Sequence, residues 1–230
     1  MHFFIIVLLI CFFIFLYALY FLASDDWIII KKDMPMEKIF NTAFLTALVA
    51  LFFSRFLYVV LFPKSVYFSI LGFLLFPYFP GLSLVGAVLG GSLFLYFYTK
   101  TQKLPVGKTF DFFSIALLSA MPIGFLGTFI LMGQRYLMTF IFSFLVYVIF
   151  FFIFVKVTLP ASFRGNIKSG SVALIFLICF SVVGFLGRII YDFKNFHLLS
   201  GENIILILVF VISLAFFIKQ EIIGKTRGKK

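Results

Sequence analysis

Apolar residues run in blocks of about twenty along this chain, and short polar stretches separate them. Seven such blocks stand out, at residues 3–22, 39–62, 82–98, 111–132, 136–155, 171–191 and 203–218. A helix needs roughly 20 apolar residues to cross ~30 Å of hydrocarbon, so each block predicts a membrane-spanning helix. Residues 65–76 break the rhythm: Lys64 precedes them, and Pro77 and Pro80 follow. A twelve-residue block bounded by prolines predicts a re-entrant or interfacial segment, and its tyrosines Tyr67 and Tyr78 suit an interface.

Composition agrees with this pattern and excludes a soluble globule. The 230 residues are 64% hydrophobic and only 12% charged, with a mean hydropathy of +1.22. The expected fold is an all-α polytopic membrane protein, a single integral membrane domain over residues 1–230 with a basic cytoplasmic tail at 219–230. No cleavable signal peptide is expected, because Met1, His2, Phe3 and Phe4 lack a basic region and the apolar block continues to Leu22.

The formal charge of +11 does not indicate nucleic acid, because the basic residues gather at the ends of apolar blocks instead of forming a face. Lys31, Lys32 and Lys38, then Lys100, Lys103 and Lys108, then Lys156, Arg164 and Lys168, and finally Lys219, Lys225, Arg227, Lys229 and Lys230 fall on one side. Only Lys64, Arg135 and Lys194 fall on the other. The positive-inside rule then predicts an outside N-terminus and a cytoplasmic C-terminus. A full crossing by residues 65–76 would scatter the basic loops over both sides.

Two arginines remain inside the apolar blocks. Arg55 is seven residues from the outer end of the second block and Arg188 three from the outer end of the sixth, so both are expected in the outer half of the membrane. A charge at that depth needs a partner and marks a candidate site. Asp192 follows Arg188 at the i,i+4 spacing of a same-face ion pair. Arg55 has no acid nearby in its own block, so a phosphate or a carboxylate from another helix is expected to satisfy it.

Other chemistry is sparse. Asp111 opens the fourth block, where capping and dipole effects explain an acid. His197 stands in the loop after the sixth block as a candidate acid or base. Cys11 and Cys179 lie within apolar blocks, where a small buried hydrophobe is the expected role. Gly86, Gly90 and Gly91, then Gly124 and Gly127, then Gly184 and Gly187 mark faces for close helix packing. Neither a nucleotide loop nor a metal-ligand spacing is present, and no cofactor is expected.

Four stretches in order carry a resemblance. Ser54-Arg55-Phe56-Leu57-Tyr58 is similar to a Gly-Ala-Arg-Leu-Gly-Tyr motif, and the stretch from Gly81 through Ser83, Val85 and Gly86 to Gly91 is similar to a Gly-x-Ser-x-His-Gly-Gly motif. Gly124-Phe125-Leu126-Gly127-Thr128-Phe129 resembles Gly-Arg-Ile-Gly-Asn-Phe, and Gly187-Arg188-Ile189-Ile190-Tyr191-Asp192-Phe193 resembles Gly-Arg-Phe-x-x-Glu-Phe. Together they resemble the prolipoprotein diacylglyceryl transferase family, whose seven spans and N-out, C-in topology match the charge count.

The resemblance implies transfer of a diacylglyceryl group from phosphatidylglycerol to the lipobox cysteine thiol of a preprolipoprotein, in the bacterial cytoplasmic (inner) membrane. Phosphatidylglycerol or another anionic phospholipid and the preprolipoprotein are the implied partners, with no nucleic acid. The chemistry requires a thiolate and cationic stabilisation of a departing phosphate. On the resemblance Arg188 contacts the phosphate, with Arg55 and Asp192 in the binding site and His197 as a replacement base. Val85 stands where the family has histidine, and Phe125 and Thr128 where it has arginine and asparagine. A transferase with displaced proton transfer and a catalytically inactive binder of anionic lipid or lipoprotein precursor therefore both follow from these residues.

Overall fold

A computed structural model of the chain describes residues 2–24, 35–74, 81–165, 167–191, 193, 197–198 and 200–223. Every regular element among the described residues is a helix. Six of their helices are long and apolar enough to cross a membrane. They correspond to every expected span except the third. That block forms helix α4 (Leu84–Thr101), of 18 residues, whose polar end at Thr99, Lys100 and Thr101 keeps it out of the six. At ~1.5 Å per residue α4 covers about 27 Å, close to the ~30 Å hydrocarbon thickness.

The chain forms two compact units. The first comprises Met1–Ile6 and Ala23–Val106. Its main elements are α2 (Met36–Leu61) and α4, which pack along each other. Small residues make this approach possible. A Cβ on Gly90 would lie 2.2 Å from the Phe53 Cβ, and one on Gly86 would lie 2.6 Å from the Phe53 carbonyl oxygen. Ser83 starts α4 by accepting the Gly86 amide on its side chain, while its own amide donates to the Ser54 carbonyl, one residue before Arg55.

Between these helices the chain makes a 3-10 turn at Ser65–Phe68 and the five-residue helix α3 at Ile70–Leu74. Neither piece is long enough to cross, as the flanking prolines predict. Tyr67 departs from the expectation of an interfacial side chain: it is buried. Tyr78 lies outside the described residues.

The second unit comprises Val7–Leu22 and Gly107–Lys230. It contains the greater part of α1 (His2–Ser24), then α5 (Val106–Met132), α6 (Leu137–Ile153), α7 (Leu159–Phe163), α8 (Ser171–Tyr191) and α9 (Gly201–Ile218). A single 3-10 turn, Gly133–Tyr136, joins α5 to α6. Pro160 supplies no amide hydrogen, and the turn before it widens into a π turn at Phe154–Thr158, in which the Leu159 amide donates to the Phe154 carbonyl. One continuous helical rod of 27 residues, Leu137–Phe163, results.

Helices α8 and α9 pack closely, with Gly184 against Leu206, where a Cβ would sit 3.2 Å from a leucine methyl. A π turn, Lys219–Ile223, continues α9, and the remainder of the expected basic tail, residues 224–230, lies outside the described residues. Cys11 and Cys179 are free thiols, and the Cys11 thiol donates to the Ala120 carbonyl at 3.7 Å.

The end of the second unit that holds Asp111 is clasped by carboxylates. Asp111 accepts the Gly170 amide at 2.7 Å and the Ala173 amide at 2.9 Å, so it caps α8 and not its own helix α5. The reason is positional: Asp111 lies inside α5, where the local amides are taken by the helix, whereas the amides at the start of α8 need acceptors. Glu221 accepts the Lys168 amide and the Ser171 hydroxyl, and the Lys168 ammonium donates to the Gln220 carbonyl. Loop 167–171 is thereby held from two helices.

Candidate active site

Each unit contains one of the two intramembrane arginines, and the two are built differently. Arg55 is only 2% exposed. Its Nη1 donates to the Gly81 carbonyl and its Nη2 to the Gly72 carbonyl, both at 2.8 Å, and its Nε donates to the Phe73 carbonyl at 3.2 Å. The Tyr67 ring covers the guanidinium, with its centroid 4.6 Å from Cζ. All three nitrogens are thus engaged by backbone carbonyls, not by the phosphate or carboxylate that its charge alone suggests.

These bonds tie α3 and Gly81, on either side of the two prolines, to α2. Charge-assisted bonds are the strong class, and three converging ones make Arg55 the anchor of that segment. Gly81 contributes its carbonyl with a φ of +152°, and a Cβ there would lie 2.0 Å from the Tyr58 ring. Beside the anchor opens an apolar cavity of about 540 Å³ lined by Phe52, Phe56, Val60, Phe68 and Phe73, among others.

Arg188 stands one turn before the end of α8, and 34% of its side chain is accessible. Its Nη2 pairs with the Oε2 of Glu202, in the first turn of α9. Gly184 facing Leu206 fixes the α8–α9 register, and one turn further along each antiparallel helix that register brings Arg188 opposite Glu202. Asp192, the partner expected from spacing, lies outside the described residues. The available signal for Glu202 was an acid opening the span next to the arginine-bearing one, in a chain with only eight acids.

Further polar groups share these helix ends. Asn203 is buried, and its amide donates to the His197 carbonyl at 2.9 Å. The Ser200 amide donates to the same carbonyl, so the backbone of His197 is fixed to the start of α9 while the residue itself is exposed. The Oδ1 of Asn203 is buried and has no hydrogen-bond partner among the described residues. Tyr191 and Tyr136 stack at 4.6 Å, and the Tyr191 hydroxyl donates to the Tyr136 hydroxyl at 2.9 Å.

The substituted motif positions serve packing. Val85 is buried in the first unit, and Phe125 stacks at 5.3 Å on Tyr147, which is 1% exposed. A ring sits where the related motif has a guanidinium.

A family model described as prolipoprotein diacylglyceryl transferase matches residues 1–219. The chain belongs to this family. A search of curated proteins finds no match. Membership in the prolipoprotein diacylglyceryl transferase family assigns the chain to diacylglyceryl transfer in lipoprotein biosynthesis, and six apolar helices make it a multi-pass membrane protein. The match stops before Gln220 and Glu221, so the clasp on loop 167–171 draws on residues beyond the family model.

Proposed function

We propose that this transferase moves the diacylglyceryl group of phosphatidylglycerol to the lipobox cysteine thiol of a preprolipoprotein at the outer face of a bacterial inner membrane. Counting α4 as a crossing gives seven crossings, an outside N-terminus and the basic loops in the cytoplasm, as the charge asymmetry requires. The end of the second unit that bears Arg188 then faces outward.

The observation that carries the reading is Arg188: a guanidinium one-third accessible, paired with the carboxylate of Glu202, at a helix end crowded with polar groups. A planar guanidinium binds two phosphate oxygens at once. In the reaction the cysteine S–H loses its proton to the His197 imidazole. The thiolate attacks the glyceryl carbon that bears the phosphate oxygen, forming the C–S thioether and breaking the C–O bond. Glycerol phosphate leaves with the electron pair, and Arg188 stabilises the charge that develops on it. Arg55 shapes the first unit by anchoring the proline-bounded segment, and Asp192 belongs to the same binding region as Arg188.

One observation favours a second reading, a lipid-binding relative without turnover: Val85 and Phe125 are built into apolar packing where the family carries its histidine and arginine. One experiment separates the two. Purified protein incubated with phosphatidylglycerol and a lipobox peptide should yield a diacylglyceryl thioether detectable by mass spectrometry, and Arg188→Ala should reduce the yield about 100-fold or more. No product, with lipid binding retained, establishes the second reading.

A further inference from the structure

The carboxylate that holds Arg188 has a consequence for which anions the site accepts. Glu202 is buried, whereas its partner keeps a third of its side chain accessible, so an incoming anion meets the arginine first. Glu202 also lies in the first turn of α9, where the positive end of the helix dipole favours a negative charge independently of Arg188.

We infer that Glu202 is a positioning and selectivity residue: it holds Arg188 and sets its anion affinity so that a monoanionic phosphodiester lipid is bound and a more highly charged phosphomonoester is released. This rests on the reading of Arg188 as the phosphate contact. The physical basis is charge. A phosphodiester carries one negative charge, whereas a phosphomonoester carries about −1.5 to −2 near neutral pH. An unopposed arginine binds the monoester more tightly, and the product glycerol phosphate is a monoester. A fixed carboxylate beside the arginine repels each ligand in proportion to its charge, and the penalty on the product is nearly twice that on the lipid. The pair thus binds both anions less tightly than an unopposed arginine would, and the arginine's preference for the monoester narrows.

The test compares wild-type protein, Glu202→Gln and Glu202→Asp in detergent, using a short-chain phosphatidylglycerol and glycerol phosphate as separate ligands. Glu202→Gln keeps a hydrogen-bonding oxygen and removes the charge. It should bind the lipid about 3-fold more tightly and glycerol phosphate about 10-fold more tightly, since the second penalty is close to the square of the first. The selectivity for lipid over monoester falls accordingly, and the shift shrinks in high salt. Glu202→Asp keeps the charge and should stay near the wild-type ratio.

Weaker binding of both ligands by Glu202→Gln, or equal changes for both, overturns the inference, because loss of a merely structural ion pair does not distinguish ligands by charge. The binding measurement needs no turnover. A wild-type protein that yields no thioether but shows the charge-dependent shift defeats the transferase reading and leaves the role of Glu202 standing. Transfer activity with no shift does the reverse.

Discussion

Arg55 and Arg188 look alike in sequence, each a lone cation in an apolar helix, and the structure gives them opposite characters. Arg55 is sealed, with its three nitrogens on the carbonyls of Gly72, Phe73 and Gly81 and an aromatic ring over its face. Arg188 keeps a third of its side chain accessible and pairs with the carboxylate of Glu202. The first arrangement commits all three nitrogens of the guanidinium to backbone in a buried site. The second keeps a third of the side chain accessible to a ligand. A buried charge in a membrane protein therefore signals a function only after its partners are known, because backbone carbonyls satisfy a cation as well as a phosphate does.

The contrast predicts where each substitution will register. Arg55→Leu should have the largest effect on stability, about 3–5 kcal/mol, because it strands the Gly72, Phe73 and Gly81 carbonyls and releases α3 and Gly81 from α2. Thermal unfolding of the detergent-solubilised protein measures it. An unchanged midpoint would remove Arg55 from the structural class and erase the contrast. Gly81→Ala attacks the same anchor from the carbonyl side. The added Cβ meets the Tyr58 ring, and a loss of about 1–3 kcal/mol is expected, with greater protease sensitivity within residues 63–81. If Arg55→Leu combined with Gly81→Ala costs the full sum of the two, they do not act through one anchor.

The smallest effect is expected near Arg188. Tyr191→Phe removes one hydroxyl bond to Tyr136 at an exposed position and keeps the ring stack, so stability should change by about 0.5 kcal/mol or less. A large loss there would show that the Arg188 end is as tightly built as the Arg55 end, and the comparison between them would fail.

Much of this architecture was readable in the order of residues. Apolar blocks of about twenty residues have one solution in lipid, a helix, and six of the seven blocks form helices long and apolar enough to cross. The prolines after residue 76 and the short block before them announced a segment that does not cross. Gly86 and Gly90 announced the close approach of α4 to α2, because only a residue without a side chain fits against Phe53. The four motif-like stretches pointed to the family that the model match over residues 1–219 establishes.

The partners of charged groups were not readable in the same way. Residue spacing offers only neighbours in the chain: it pointed from Arg188 to Asp192, which lies outside the described residues, and it placed Asp111 at the start of its own helix. The tertiary structure joins Arg188 to Glu202 across the α8–α9 contact and sets Asp111 on the amides that open α8. For Arg55 the difficulty is deeper, since every residue carries a carbonyl and no residue type marks the one that will accept. Hydrophobic periodicity is a local property, so the sequence alone determines the helices and their membrane-spanning character. Which charge meets which acceptor depends on helix register and on the path of the connecting chain, and only the folded arrangement decides that one arginine is an anchor and the other a candidate site for an anion.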